Sequence, residues 1–485
     1  MKKILQCILL TLLITGFGLA ETVRSQISQE ILTLIENSQS ASALWSVQVR
    51  DGNGNIIENL NGEQLVRPAS NFKLISSAAY LDYFGTDYTF ETRLLGRGSQ
   101  EGNRWNGDIL IEGSGDPTIG GRFYNENAFY VFENWVQALL EMGITSIEGN
   151  IVGFDGLFDD IPYPKGWEWD DLSYYYAPET NSLSFNENVV DLEVIADGPV
   201  GSAPDIQWFP MDTDYVEFVN EQVITPQGTS FDEMYRRVLG TNIILLRSTL
   251  PQGHYETESL SITDPALFFI DTFKKYLENR GISVSGQLYT DSNYFDWNAD
   301  TFDLFHSHKS VEMAKIIKEL NRESNNFYAE MLLKKLAADK YGVQGSTELG
   351  LQELKEYMYT MQFDTTKAEL RDASGMAAAT LVKASDLNNY LVLLRDKEYF
   401  PVFFESLAEG GLNGTLEYRF NNSPLKGSFN GKTGFVSGVR TLSGYLETEK
   451  GSELAVSLFT NNYTSKTSSV DFTQQKILEF LYHRY

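Results

Sequence analysis

Three short polar strings, far apart along the chain, constrain it more than any other feature: Ser70-Asn71-Phe72-Lys73, Ser324-Asn325-Asn326 and Lys432-Thr433-Gly434. Each falls in a different predicted setting. The first opens an apolar run over residues 72–84, with Pro68 suited to a helix entrance and Gly85 to its exit, so Ser70 and Lys73 lie in the first turns of a helix. The second sits at the break between amphipathic helices predicted over 311–320 and 327–336, and the third opens a strand over 432–436. No string is persuasive alone. A second S-x-x-K copy, Ser423 to Lys426, even has Pro424 inside it. Three in this order and in these settings are hard to obtain by accident.

The residue types imply nucleophilic chemistry. A serine hydroxyl is a poor nucleophile until a base takes its proton. Lys73 stands three residues after Ser70, so one helical turn brings its amine to the same face. That amine works as a base only when neutral, which burial and a second cation both favour; Lys432 is the expected second cation. Ser70 at a helix start has backbone N–H groups nearby for an oxyanion, and the N–H of Phe435 is the candidate second donor. Ser324 is expected to relay the proton and the Asn326 amide to hold a substrate carbonyl. Lys432 and Thr433 are suited to a carboxylate, and Gly434 lets substrate approach the backbone. Plainer readings exist for each: an N-cap before Phe327, or a lysine on a solvated edge strand.

Residues 1–20 read as a cleaved secretory signal, with Lys2 and Lys3 ahead of a mostly apolar run and Gly18-Leu19-Ala20 at its end. The run is short of the ~20 residues a spanning helix needs, so no membrane span is expected after cleavage. Cleavage removes Cys7, the only cysteine, leaving no thiol for catalysis and no disulfide. Without Lys2 and Lys3 the 38 basic residues become 36 against 66 acidic, a balance of −30. Such a surface disfavours nucleic acid and anionic membranes. His306 and His308 sit two apart but lack a carboxylate or thiol cluster at metal spacing, so neither metal nor cofactor is expected.

The character of the chain changes from about residue 90: strands and helices alternate, then strand follows strand from about 181 to 261, before a helix opened by Thr263-Asp264-Pro265. From about 303 it is helical again, and it ends in strands over 432–436, 441–446 and 454–460 and a helix over 470–482. With no repeat and no low-complexity linker, nested insertions fit better than domains in series.

On the three strings the chain resembles the class C low-molecular-mass penicillin-binding proteins, the D-alanyl-D-alanine carboxypeptidase/endopeptidase family. Gly113-Ser114-Gly115-Asp116-Pro117-Thr118, Trp167-Glu168-Trp169-Asp170-Asp171-Leu172, Asn181-Ser182-Leu183-Ser184-Phe185-Asn186, Asp372-Ala373-Ser374-Gly375-Met376 and Arg440-Thr441-Leu442-Ser443-Gly444-Tyr445 extend the likeness over nearly the whole mature chain. The resemblance implies a multidomain α/β (α+β) protein with a penicillin-recognising serine transferase/β-lactamase-like domain, an antiparallel sheet flanked by helices, split by a large two-part insertion. The expected division is 21–90 with 303–485 as the catalytic domain, 91–182 with 258–302 as an inserted α/β domain, and 183–257 as a nested β-rich domain. After Gly375 the chain departs from the family: Met376-Ala377-Ala378-Ala379-Thr380 stands where a more polar stretch is usual.

The function this implies is a periplasmic or secreted serine DD-peptidase acting on peptidoglycan stem peptides and acylated by β-lactams. It would cleave the terminal D-Ala-D-Ala bond, stem-peptide cross-links, or both. A β-lactamase or esterase on the same scaffold and a catalytically idle peptidoglycan-binding scaffold stand as alternatives.

Overall fold

The computed structural model describes residues 27–210, 213–292 and 302–485. The predicted signal segment lies outside the described residues. No described helix is long and apolar enough to cross a membrane.

The strand Glu453–Asn461 shows how the chain's two ends build one layer. Its residues alternate: Leu454, Val456 and Leu458 enter one core, while Ala455 and Phe459 enter another. A strand buried on both faces must be central. It pairs with Leu44–Arg50 on one side and Val439–Glu447 on the other, all antiparallel. The sheet continues outward to Ile56–Leu60 at one edge and, through Phe429–Val436, to the short strand Ala408–Glu409 at the other. That last strand pairs only with Asn430 and Gly431, so the edge of Phe429–Val436 is left open from Lys432 onward.

On one face lie the helices Gln29–Glu36 and Thr467–Arg484, which contribute Ile31, Ile35, Ile477, Leu478 and Leu481. The other face carries Lys73–Phe84, Met313–Arg322, Asn326–Tyr341 and Ala384–Leu394 around a second core. Lys73–Phe84 is buried almost throughout and ends at Gly85, whose φ of 81° is open to glycine at no steric cost. The predicted helices and strands of this part are present, with ends shifted by a few residues.

The chain between forms a second body of sheets. Seven strands make a mixed sheet centred on Glu91–Glu101 and Arg104–Glu112. The returning strand Asp303–Lys309 pairs with Glu91–Glu101 and so stays in that sheet through Lys309. Smaller sheets, including Val189–Ile195 between Asp205–Phe209 and Tyr255–Ser261, share its core with the helices Tyr130–Glu141 and Pro265–Asn279. This body grips the helix Asn326–Tyr341 directly. Lys334, 1% exposed, donates to Asp159 Oδ1 at 2.7 Å and to the Ile161 carbonyl at 2.6 Å.

Candidate active site

Ser70 lies in a 3₁₀ turn, Ala69–Phe72, that leads into the helix beginning at Lys73. Ala69 just before it holds a left-handed φ of 46°, an uncommon conformation for a residue with a Cβ. Gly375 is packed against the same turn: a Cβ there would fall 2.0 Å from the Ala69 carbonyl oxygen. On the opposite side runs Phe429–Val436, where a Cβ on Gly434 would fall 2.9 Å from the Ser70 nitrogen. Only glycine lets that strand pass so close to the serine.

Lys73 is fully buried, and its Nζ meets three oxygens: Ser70 Oγ at 3.0 Å, Asn326 Oδ1 at 2.5 Å and the Ser374 carbonyl at 2.9 Å. Two of these are acceptors only. A neutral amine therefore satisfies all three by donating its two hydrogens to Asn326 and Ser374 and turning its lone pair to the Ser70 hydroxyl. Burial pulls the Lys73 amine down to about 7, against the opposing pull of Asp372 and Glu330. A useful fraction is thus neutral near neutral pH.

The three strings converge here. Asn326 Nδ2 donates to the Tyr176 carbonyl at 2.7 Å and lies 3.5 Å from Met376 Sδ, which puts the unusual segment after Gly375 beside this amide. Ser324 adopts a left-handed φ of 63° at the end of Met313–Arg322, and the Asn325 N–H closes the turn on the Leu320 carbonyl. That is a Schellman ending, with serine where glycine is usual. The Ser324 hydroxyl is partly exposed and has no hydrogen bond to Lys73 or to any other described residue. Its expected relay role is not expressed in a direct contact.

Lys432 and Thr433 are buried on the open-edged strand, with Lys432 Nζ on the Thr433 carbonyl at 2.9 Å and Thr433 Oγ1 on Thr415 Oγ1 at 2.8 Å. Burial, then Lys73 and Arg440, hold the Lys432 amine well below its ordinary range. Burial is the largest cause for both amines, and the repulsion expected between Lys73 and Lys432 is present in the pair. Phe435 follows, with its side chain 55% exposed. The second S-x-x-K copy is no part of this cluster; its Ser423 hydroxyl donates to Glu479.

Several groups here have no counterpart in the expected set. Asn71 bridges the strings, donating to the Lys432 carbonyl at 2.5 Å and accepting from Ser443 Oγ at 2.9 Å. Glu330, 1% exposed, accepts from the Ala373 and Ser374 N–H groups at 3.0 and 2.8 Å, fixing the turn whose carbonyl holds Lys73. Burial and then Asp372 push its carboxyl up to about 8. Asp372 accepts from Trp167 Nε1, Ser374 Oγ, Ala377 N and Thr380 Oγ1. The S-x-N spacing does point to the Asn325 neighbourhood, but a buried acid on the next helix turn carries no motif signal. His308 is buried with its Nε2 3.1 Å from the Tyr124 hydroxyl.

Residues 27–481 match the D-Ala-D-Ala carboxypeptidase 3 (S13) family. A D-alanyl-D-alanine carboxypeptidase of Actinomadura sp. (strain R39) is 27% identical over 460 residues, covering 91% of this chain and 82% of its own. A penicillin-sensitive carboxypeptidase A of Dictyostelium discoideum is 24% identical, covering 93% of this chain and 90% of its own. The crystal structure of penicillin-binding protein 4 (dacB) from Haemophilus influenzae superposes with a TM-score of 0.82 at 20% identity, over 93% of this chain and 99% of that one. The expected fold class is borne out by that likeness. By the span of its match, the chain belongs to the D-Ala-D-Ala carboxypeptidase 3 (S13) family of serine carboxypeptidases.

Proposed function

We propose that the protein is a serine DD-peptidase of peptidoglycan that works through a Ser70 acyl-enzyme and is inhibited by β-lactams. The observation that carries this reading is the buried Lys73 amine, held near 7 and 3.0 Å from Ser70 Oγ. Neutral Lys73 takes the hydroxyl proton as Ser70 Oγ bonds to the carbonyl carbon of the penultimate D-Ala. Charge growing on the carbonyl oxygen is met by the N–H groups of Ser70 and Phe435, a role supported by the close pass of Gly434. The C–N bond then breaks as the leaving D-Ala nitrogen takes the proton held by Lys73, relayed through Ser324. Water then attacks the ester carbon, giving a proton to Lys73, and the bond from that carbon to Ser70 Oγ breaks as Oγ takes the proton back.

Lys432 and Thr433 hold the substrate carboxylate from the open strand edge, and Asn326 presents its amide to the peptide. Substrates are stem peptides carrying terminal D-Ala-D-Ala or their cross-links. The N-terminal signal would deliver the enzyme to the periplasm or the exterior, as a catalytic domain carrying the inserted and nested domains.

Incubation with fluorescent penicillin, with and without Ser70→Ala, followed by mapping the label by peptide mass, tests the reading. Label on Ser70 that is lost in the variant supports it. Label on another residue, or a folded protein that neither takes label nor consumes penicillin, overturns it. Rapid penicillin consumption without stable label would move the assignment to a β-lactamase.

A further inference from the structure

Asn186, Glu187 and Asn188 hold three consecutive left-handed φ angles of 51°, 53° and 59°. Such a run is costly for residues with a Cβ and persists only where the surroundings enforce it. The two asparagines do that enforcing. Asn186 Nδ2 donates to the Val189 carbonyl at 3.2 Å and to Asp191 Oδ2 at 3.1 Å. Asn188 Nδ2 donates to the Glu179 carbonyl at 2.8 Å and to Ser184 Oγ at 3.0 Å.

Glu187, between them, is spent elsewhere. Its Oε2 accepts from Asn325 Nδ2 at 2.9 Å and its Oε1 from the Tyr328 hydroxyl at 3.0 Å. Arg122 pairs with the same carboxylate and, through Nη1, with Glu319 Oε1 at 2.9 Å. Glu319 lies on the helix before the Ser324 turn and Tyr328 on the helix after it. Asn325 itself caps the second helix, its Oδ1 accepting from the Tyr328 N–H at 3.0 Å. One carboxylate and one guanidinium from the inserted body therefore span both helices that flank the turn.

We propose that Glu187, seated by Arg122, is a positioning residue for the Ser324-Asn325-Asn326 turn. Holding the Asn325 amide sets the turn's backbone, and with it the Ser324 hydroxyl and the Asn326 amide that meets Lys73. Arg122 grips the Glu187 carboxylate through both Nε and Nη2 and reaches Glu319 as well, so the pair fixes the carboxylate where Asn325 and Tyr328 meet it. Strained backbone that delivers a carboxylate to the middle residue of the second string is better explained by placement of that string. This inference rests on the reading of Ser70 as the nucleophile.

The test compares Glu187→Ala, Glu187→Gln and Arg122→Ala with the wild type in second-order acylation by fluorescent penicillin, in thermal unfolding, and in amide hydrogen exchange over residues 323–328. Glu187→Ala should lose about 10–100-fold in acylation, the scale of a sub-ångström to ångström misplacement. Exchange at 323–328 should quicken while the unfolding midpoint stays close to wild type. Glu187→Gln, which still accepts from Asn325, should recover part of the rate, and Arg122→Ala should fall between. The acid limb of the pH–rate profile should not move, since Glu187 does not touch Lys73 and is not among the groups that shift its amine.

Wild-type acylation by Glu187→Ala, or a loss matched by global unfolding, overturns the proposal; a shifted acid limb replaces positioning with electrostatics. If the wild type takes no label, the functional reading fails on its own account. Exchange at 323–328 then still decides the brace, quickened exchange supporting it and unchanged exchange overturning it.

Discussion

The indole N–H of Trp167 donates to the buried Asp372 carboxylate at 3.1 Å, tying the inserted body to the turn that holds Lys73. Asp372 keeps Ser374 and Ala377 in place from the same oxygen, so Trp167 acts on the Ser374 carbonyl through one intermediate. Trp167→Phe keeps an aromatic ring, smaller than the indole, and removes the donor. Loss of a hydrogen bond to a charged group costs about 1.5 kcal/mol here, the low end of the usual range, because the other donors remain. Denaturant unfolding should show that loss, accompanied by slower acylation. Unchanged stability together with an unchanged rate would mean the contact is incidental.

The position of Lys73 sets a pH dependence with a definite sign. Its amine is held at about 7, so protonation below that value removes the base. Acylation should climb as pH rises through about 7 and level off above it. Lys73→Arg keeps a cation and donors but has no lone pair at any accessible pH. That variant should lose at least ~10³-fold, within the range ascribed to general base catalysis, and should not recover by pH 10. Stopped-flow acylation between pH 5 and 10 reads both; recovery of the arginine variant at high pH would exclude Lys73 as the base.

What could be read in the sequence was what side-chain letters encode at fixed spacing. Ser70 and Lys73 share a helical face because three residues make about one turn, and Lys432 to Gly434 read as a strand from their β-rich neighbours. The groups that finish the site carry no such signal. The Tyr176 and Ser374 carbonyls that fix Asn326 and Lys73 belong to the backbone and would be there with any residue. Glu330 stands among apolar helix residues where an acid ordinarily marks a solvated face, yet it is 1% exposed because the Ala373–Ser374 turn folds over it. Pairings made over long separations, such as Asn71 with Ser443, depend on sheet register, which no local pattern specifies.

Binding of a carboxylate at Lys432 should raise the pKa of its amine, so proton uptake should accompany binding at any pH between the free and bound values. Burial, then Lys73 and Arg440, depress this amine. An anion arriving beside it reverses that balance, raising the pKa on binding, so affinity should fall as pH rises. Calorimetry of Ser70→Ala with a D-Ala-D-Ala-terminated peptide, run in phosphate and in Tris, measures the uptake from the difference in heats. Lys432→Ala should abolish the uptake and weaken binding about 10–100-fold, the loss of a charge-assisted hydrogen bond. Equal observed heats in the two buffers would show that no proton is taken up and overturn the prediction.

Ser324 combines strain with chemistry, and two substitutions separate them. Its φ of 63° is a glycine position, occupied here by a residue whose hydroxyl is left free of partners in the described structure. Ser324→Gly relieves the left-handed strain, worth about 1 kcal/mol, and removes the hydroxyl. Ser324→Ala removes the hydroxyl and keeps the strain. If Ser324 serves proton transfer, both should lose turnover of a D-Ala-D-Ala substrate by about 10²–10³-fold, while unfolding places glycine above alanine in stability. If it serves only the turn, glycine should match or exceed the wild type in rate as well as in stability. Steady-state turnover and denaturant unfolding of the same two proteins therefore decide whether the serine is retained at a glycine position for its hydroxyl or for its backbone.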